Sequence, residues 1–178
     1  PLTGEIISAD VVNKLLAIKL GYNYRKLYGY TEDNDPLMQY ITNLTLHEVG
    51  HVLGLRHNFR GSYLYSPDEI HDKNITGNVL MSSVMDYDPI NIAPEGVEQG
   101  IYFSTEPGVY DKWAVKFGYT PNLTDEERTA LLQQSVKREL TFGTDDDAMS
   151  YPGNNIDPRT KRYDMSNDPI GYAEDIVK

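Results

Sequence analysis

The stretch TLHEVGHVLGLRHNFRG, residues 45–61, holds three of the four histidines in this 178-residue chain. His47 and His51 are four positions apart, so on a helix their side chains project from the same face, one turn from each other. That spacing allows two imidazoles to bind one ion without bending the backbone. Glu48 follows His47 directly and leans towards the same face, where it is placed to hydrogen-bond a water molecule.

Gly54 and His57 complete the pattern. Glycine adopts the left-handed backbone conformation that ends a helix without steric cost, so the chain can turn at Gly54 and bring His57 back towards the first two histidines. Three imidazoles leave one position of a tetrahedral ion open, which is typical of a catalytic rather than a structural zinc site. Zinc lowers the pKa of a bound water from 15.7 to roughly 7, and Glu48 can then take the proton. The alternative is that these are ordinary surface or core histidines.

Composition excludes several other classes of protein. The formal charge is −11, which argues against nucleic acid, because neutralising phosphates needs clusters of Lys and Arg. The chain has no cysteine, so disulfides, thiolate ligands and a cysteine nucleophile are excluded. No apolar run approaches the roughly 18 residues that cross a bilayer. No signal peptide is visible in the sequence, which says nothing about where a longer parent protein goes. We expect the chain to be a piece of a longer polypeptide.

Local patterns predict a helix around the first two histidines. Asp35 is a candidate N-cap with Pro36 at the first helical position, and apolar residues on one face extend the helix to Leu53. Before it, residues 3–12 are rich in β-branched side chains and predict a strand. Residues 13–30 fit either a helix or a loop.

The second half of the chain is predicted from its turn residues and caps. Residues 62–108 are rich in Asn, Asp, Pro, Gly and Ser and predict loops. Residues 108–119 and 124–140 predict helices, and the second begins with a capping box of Thr124 and Glu127. Residues 144–178 are expected to form packed loop or a connector.

The segment HEVGHVLGLRH matches the pattern H-E-x-x-H-x-x-G-x-x-H, which is far more specific than H-E-x-x-H alone, and it resembles the metzincin clan of zinc endopeptidases. SSVMDY, residues 82–87, is similar to the clan's Met-turn. The resemblance implies that Met85 forms a hydrophobic floor beneath the ligands. Tyr87, two residues after Met85, resembles the tyrosine that astacins and serralysins use as an extra zinc ligand. In those families this tyrosine swings away to hydrogen-bond the tetrahedral intermediate, and the resemblance implies the same role for Tyr87. With 14 tyrosines in the chain, core packing of Tyr87 stays an alternative.

A third segment, STEPGVYDKWAVKFGY at residues 104–119, resembles the clan's C-terminal helix through Asp111, Trp113, Ala114 and Tyr119. RHNFRGS followed by SSVMDYDP is similar to large bacterial zinc metallopeptidases of this clan, found especially among Bacteroidetes. Asn58 departs from astacins, adamalysins and matrixins, which carry Glu, Asp and usually Ser after the third histidine.

The fold class implied is α+β: a metzincin-like catalytic domain fragment with a long zinc-binding helix, a loop-rich middle with the Met-turn, C-terminal helices and little sheet. We assign residues 1–143 to this domain and residues 144–178 to a C-terminal extension or connector. Residues 4–12 would be the edge strand that aligns a peptide substrate by strand addition. The strands that flank it in the family are missing from this chain.

The predicted function is a zinc-dependent endopeptidase with His47, His51 and His57 as metal ligands and Glu48 and Tyr87 as catalytic residues. The main alternative is a non-catalytic metzincin-like binding module of a larger surface protein; a deacetylase is a remoter one. The partner of the predicted endopeptidase would be a protein or peptide substrate. The resemblance implies a periplasmic, cell-surface or secreted location.

Two weaker candidates concern other metals and the last histidine. The acidic runs EDNDP (residues 32–36) and TDDDA (residues 144–148) offer the oxygens that calcium prefers, without EF-hand spacing. A solvated or capping role is the alternative. His71 is predicted to be a solvated loop residue rather than a ligand.

Overall fold

The computed structural model describes residue 6 and residues 8–11, 15–148 and 157–177. The α-helices of these parts are α1 (Leu15–Tyr28), α2 (Pro36–Val52), α3 (Lys73–Thr76), α4 (Val109–Tyr119), α5 (Asp125–Leu132), α6 (Asp145–Ala148) and α7 (Pro169–Ile176). Short 3₁₀ helices lie at Gly61–Leu64, Gln133–Val136 and Arg138–Leu140. None of the helices described is long and apolar enough to cross a membrane.

No β-strand occurs in the described parts of the chain, so the predicted α+β class is wrong and the fold is helical with long irregular connections. Of the predicted strand 3–12, residues 6 and 8–11 are exposed and irregular, and the others lie outside the described residues. β-Branched composition provides only a propensity, whereas a strand needs a paired neighbour to satisfy its backbone groups. The described residues offer no such neighbour.

Helix α2 forms as its sequence predicts. The Asp35 side chain accepts a hydrogen bond from the Leu37 amide at 3.0 Å, and Pro36 occupies the first turn. At the other end Gly54 has φ +86°, and the amide of Leu55 donates to the Gly50 carbonyl oxygen at 3.0 Å. The left-handed turn ends the helix and redirects the chain towards His57.

Of the ambiguous segment 13–30, the structure describes residues 15–30, and Leu15–Tyr28 form helix α1. It packs on α2 through an aromatic cluster, in which the ring of Tyr24 lies 5.9 Å from that of Tyr40 and 5.8 Å from that of Phe103. Arg25 on α1 also forms an ion pair with Asp35. These contacts provide the burial that a short isolated helix needs in water.

The main buried cluster joins the middle of the chain to its last described segment. Its members are Ile70, Leu80, Met81, Ile101, Met165 and Tyr172. The buried amide side chain of Asn91 donates to the carbonyl oxygens of Ile70 and Ile101 and accepts the hydroxyl of Tyr172 at 3.1 Å. Residues 157–177 therefore share a core with the loop-rich middle.

The C-terminal helices follow their predicted starts more closely than their ends. Helix α4 matches residues 108–119, and α5 has the predicted capping box, with reciprocal bonds of 2.9 and 3.2 Å between Thr124 and Glu127. However, α5 ends at Leu132 instead of residue 140. Val136 beyond it is 87% exposed, so continuing the helix would bury little apolar surface to offset its conformational entropy.

Candidate metal centre

Helix α2 and the turn after it bring three histidines together. One ring nitrogen from each of His47, His51 and His57 lies within 4.8 Å of one from each of the others. This is the one group of three or more His, Cys, Asp or Glu side chains in the described residues that could hold a metal ion. Its origin is the helical i, i+4 spacing of the first two histidines and the turn at Gly54.

The Nδ1 atom of every histidine in the group has an oxygen partner. His47 donates to the carbonyl oxygen of Val84 at 2.7 Å, and His51 donates to that of Leu55 at 3.0 Å. Carbonyl oxygens only accept hydrogen bonds, so Nδ1 of these rings carries the proton. The Nε2 lone pair is then left for a metal, in the arrangement typical of metal-binding histidines.

The third ring, that of His57, is held by a carboxylate. Its Nδ1 lies 2.9 Å from Oδ2 of Asp145, which is at the start of α6. Burial alone would raise the pKa of Asp145, but the hydrogen bond and the charge of His57 outweigh it and hold the pKa below its usual value. The carboxylate is therefore ionised and orients the His57 ring.

This donor set fits a transition-metal ion and not a hard cation. Three imidazole nitrogens suit zinc, whereas calcium and magnesium prefer oxygen ligands. Burial lowers the pKa of His47, with smaller contributions from the neighbouring histidines. A lowered pKa favours the neutral imidazole, which is the form that binds a metal.

Met85 lies directly beneath the metal-binding helix. It is fully buried, and a Cβ atom added at Gly50 would lie only 2.2 Å from its Sδ atom. The glycine between Glu48 and His51 thus allows the methionine to approach the helix backbone. Met85 thus packs against the helix that carries His47 and His51, and its role as a floor beneath the ligands stays a prediction.

Asp111 on α4 holds the turn that contains Met85. Its carboxylate accepts hydrogen bonds from the Ser83 hydroxyl at 2.6 Å and from the amides of Val84 and Gly108 at 2.8 Å each. Because the carbonyl of Val84 in turn accepts the His47 ring proton, Asp111 supports the position of that ring through the turn. Burial raises the pKa of Asp111, although its three hydrogen bonds oppose the shift.

Tyr87 reaches the histidine cluster with its hydroxyl. The hydroxyl oxygen lies 2.9 Å from Nε2 of His57, and it donates, because the ring proton of His57 is on Nδ1. On the other side the ring of Tyr87 stacks on that of Tyr163, at 5.8 Å and 25°. The Tyr163 amide donates to the Tyr87 carbonyl at 2.9 Å, and Tyr163 has φ +65°, a conformation uncommon for a bulky residue.

The three histidines, Glu48 and Tyr87 line one open cleft of about 480 Å³. The remaining lining residues are Tyr40, Asn43, Leu44, Asp86, Asp88 and Tyr163. The cleft therefore combines contributions from α2, from the turn around Met85 and from the segment after residue 157.

Three aspartates in and behind the cleft have raised pKa values. Burial raises the pKa of Asp86 well above its usual range, and the nearby Asp164 adds to the shift. Burial also raises the pKa of Asp88 to about 7 and that of Asp164 to about 6. The fold thus retains carboxylates whose ionisation costs free energy at neutral pH.

The sequence identified His47, Glu48, His51, His57 and Tyr87 as site residues, and the structure brings all five to one cleft. The sequence did not identify Asp145 as the partner of His57, and it did not identify Asp88 or Tyr163 as cleft residues. Asp145 lies in the noted TDDDA run, but nothing in that run indicates a partner 88 positions earlier.

His71 and the acidic runs take other roles than those first considered. His71 is 7% exposed and stacks on Tyr172, so the prediction of a solvated residue is wrong. Asp35 caps α2, Asp146 pairs with Arg56 at 3.0 Å, and Asp147 accepts the Thr144 amide at 2.9 Å. These contacts match the capping alternative, and calcium gains no support from them.

A histidine cluster on one helix and the turn after it, with a buried methionine beneath, defines a metal-binding protein of metzincin type. The chain belongs to the Met-zincin family, whose sequence profile matches residues 30–178, and this confirms the resemblance to metzincins. Searches against curated proteins and against solved structures gave no significant match.

Proposed function

We propose that this chain carries the catalytic site of a zinc-dependent endopeptidase. The observation that supports this best is the convergence of three histidines, Glu48 and Tyr87 on one open cleft. His47, His51 and His57 would hold the ion through Nε2, since Nδ1 of each ring is already bonded to an oxygen. On His57 the ion would replace the hydroxyl of Tyr87, which is hydrogen-bonded to Nε2 in this structure. When bound, zinc supplies a Lewis acid that polarises the scissile carbonyl and acidifies water.

Glu48 acts as the general base in this proposal. It lines the cleft beside His47, and it has no hydrogen-bond or ion-pair partner among the residues described. Its carboxylate is therefore free to accept the proton of the attacking water and to deliver it to the leaving amine. Proton transfer by a positioned side chain contributes about 10²–10⁴-fold to a rate.

Tyr87 acts as a hydrogen-bond donor to the oxygen of the substrate carbonyl. Its hydroxyl lies 2.9 Å from the Nε2 atom of His57, so the phenolic oxygen reaches the ligand end of the His57 ring, and it would be free to donate elsewhere once His57 holds an ion. Burial raises the pKa of Tyr87, which keeps the hydroxyl protonated at neutral pH and able to donate. Donors aimed at a developing oxyanion account for a large part of catalysis in acyl transfer.

A non-catalytic binding module would need the metal ligands but neither Glu48 nor an open cleft. A digest of a peptide library by the longer parent protein, with and without a chelator, decides between the two. The proposal expects cleavage that the chelator abolishes and that added zinc restores. Zinc binding without cleavage of any peptide would favour the binding module.

A further inference from the structure

Asp88 is a carboxylate of the cleft that the proposed mechanism does not use. It is partly buried and lines the cleft. Its carboxylate accepts a long hydrogen bond of 3.4 Å from Nδ2 of Asn43 and one from its own backbone amide. In contrast, the neighbouring Asp86 accepts bonds of 2.8 and 3.0 Å from the amides of Tyr87 and Ser62. Asp86 is thus held in the fold, whereas Asp88 has capacity for a ligand.

The position of Asp88 relative to the histidines follows from its contact with Asn43. Asn43, His47 and His51 are spaced by four residues on α2, so they form one row along the helix. Asn43 therefore lies about one turn, roughly 6 Å along the axis, from His47. Successive residues of an extended peptide are about 3.3–3.6 Å apart, so Asp88 is within reach of a side chain next to the bond being cleaved.

The surroundings of Asp88 suit a long cationic side chain. Tyr40 and Leu44 line the same cleft and offer apolar walls, and the described lining residues include Glu48, Asp86 and Asp88 but no Lys or Arg. Lysine and arginine pack their methylene stems on apolar surface and place the charge at the end. An anionic side chain would meet carboxyl groups and no cation among the lining residues described.

We propose that Asp88, with Tyr40 and Leu44 as walls, forms a subsite for a lysine or arginine side chain of a peptide substrate, adjacent to the scissile bond. That the bound peptide is a substrate rests on the proposed peptidase function. The preference for a basic peptide is a property of the cleft itself. A peptide carboxylate at the same position is disfavoured.

The test has a cleavage arm and a binding arm. For cleavage, the zinc-loaded parent protein digests a peptide library, and the preferred position is then compared in matched peptides carrying lysine, norleucine or glutamate. Norleucine keeps the methylene stem of lysine and lacks the charge. For binding, titration calorimetry measures the dissociation constants of the same peptides in the presence of chelator, where they stay intact.

At pH 8, above the pKa of about 7 of Asp88, we expect the lysine peptide to be favoured over the norleucine peptide by about 10–100-fold in both arms, the range expected for a hydrogen bond to a charged group. Asp88→Asn should abolish this ratio while leaving the norleucine peptide unaffected. Asp68→Asn removes an equal charge at an exposed position outside this cleft and should keep the ratio. Circular dichroism confirms folding, and Asp88→Ser, which also lacks the charge, should lose the ratio too.

Equal binding and cleavage of lysine and norleucine peptides would overturn the subsite, as would a lysine preference that survives both Asp88 substitutions. If Asp88 had only a structural role, its substitution would weaken all the peptides alike, and this also contradicts the inference. Selective binding of lysine peptides without cleavage would support the subsite and contradict the peptidase function. Cleavage without a preference for basic peptides would support the peptidase function and contradict the subsite.

Discussion

The Oδ2 atom of Asp145 lies 2.9 Å from Nδ1 of His57, and the two residues are 88 positions apart in the chain. A carboxylate behind a metal-binding imidazole fixes its tautomer and raises its basicity, and losing such a partner typically costs 10–100-fold in metal affinity. Asp145→Ala should therefore weaken zinc binding by about that factor, measured by competition with a chromogenic chelator. Asp146→Ala is the matched control, since Asp146 pairs with Arg56 on the surface. Equal affinity of the Asp145→Ala variant and the wild type would contradict the role of Asp145.

The stoichiometry of the site gives a second prediction. The protein should bind about one zinc ion per chain, and His57→Ala should lose most of that affinity because two imidazoles remain. His71→Ala is the control, because His71 stacks on Tyr172 outside the cluster. Elemental analysis after dialysis gives the zinc content. Affinity should fall as the pH decreases through the histidine range, since the ligand nitrogens must be unprotonated. Full zinc content in the His57→Ala variant would be incompatible with the assigned ligands.

Glu48→Gln tests the general base. Glutamine keeps the size of the side chain but cannot accept the proton, so we expect kcat to fall by about 10²–10⁴-fold or more. The zinc content should stay the same, because Glu48 is not one of the proposed ligands. A peptide assay together with elemental analysis of the same sample separates the two effects. A near wild-type turnover would refute the mechanism.

Tyr87→Phe removes one hydroxyl and retains the ring that stacks on Tyr163. If the hydroxyl stabilises the oxyanion, kcat should fall by about 10²–10³-fold with folding and zinc content unchanged. Met85→Leu is the comparison, because it preserves core volume and should cost less than about 1.5 kcal/mol of stability with a small loss of turnover. Unchanged kcat in Tyr87→Phe would leave Tyr87 with a packing role alone.

Asp164→Asn should stabilise the metal-free protein at neutral pH. Burial raises the pKa of Asp164 from 3.8 to about 6, so the folded state retains a proton that the unfolded state has lost. Below pH 3.8 both states are protonated and the burial costs nothing. As the pH rises from about 3.8 to about 6 the wild type loses stability, up to about 3 kcal/mol in total.

Denaturant unfolding between pH 5 and pH 8 measures this difference. The advantage of Asp164→Asn should grow with pH and level off above about pH 7, and Asp68→Asn at an exposed site should show no such trend. The amide keeps an oxygen that can accept the hydrogen bond from the Ser62 hydroxyl. An Asp164→Asn variant that is less stable than the wild type at pH 8 would mean that ionised Asp164 has a favourable partner.

The metal-binding helix was predictable because its signals are local. Asp35, Pro36 and Gly54 act on the few backbone groups next to them, and the i, i+4 spacing of His47 and His51 needs only the helix itself. The structure has α2 from Pro36 to Val52 with these caps, so the prediction of this element is confirmed.

The features that failed or were missed depend on contacts between distant residues. Residues 3–12 were predicted as a strand from composition, but the described residues 6 and 8–11 are irregular, because a strand forms only against a partner. Helix α1 was ambiguous because its packing on Tyr40 and Phe103 decides it. The pairing of His57 with Asp145 has no sequence signature, because an acidic run is equally consistent with solvent exposure.

The contacts of Tyr163 with Tyr87 limit how far the chain can be shortened while the site is kept. Its amide holds the backbone of Tyr87 and its ring covers that side chain, although it lies more than 70 positions after the Met-turn residue Met85. A shortened version that ends soon after α5 would contain every histidine and Glu48 but would lack both Asp145 and this aromatic cover. The smallest piece of chain that contains the sequence motif is therefore much shorter than the smallest piece that contains the site.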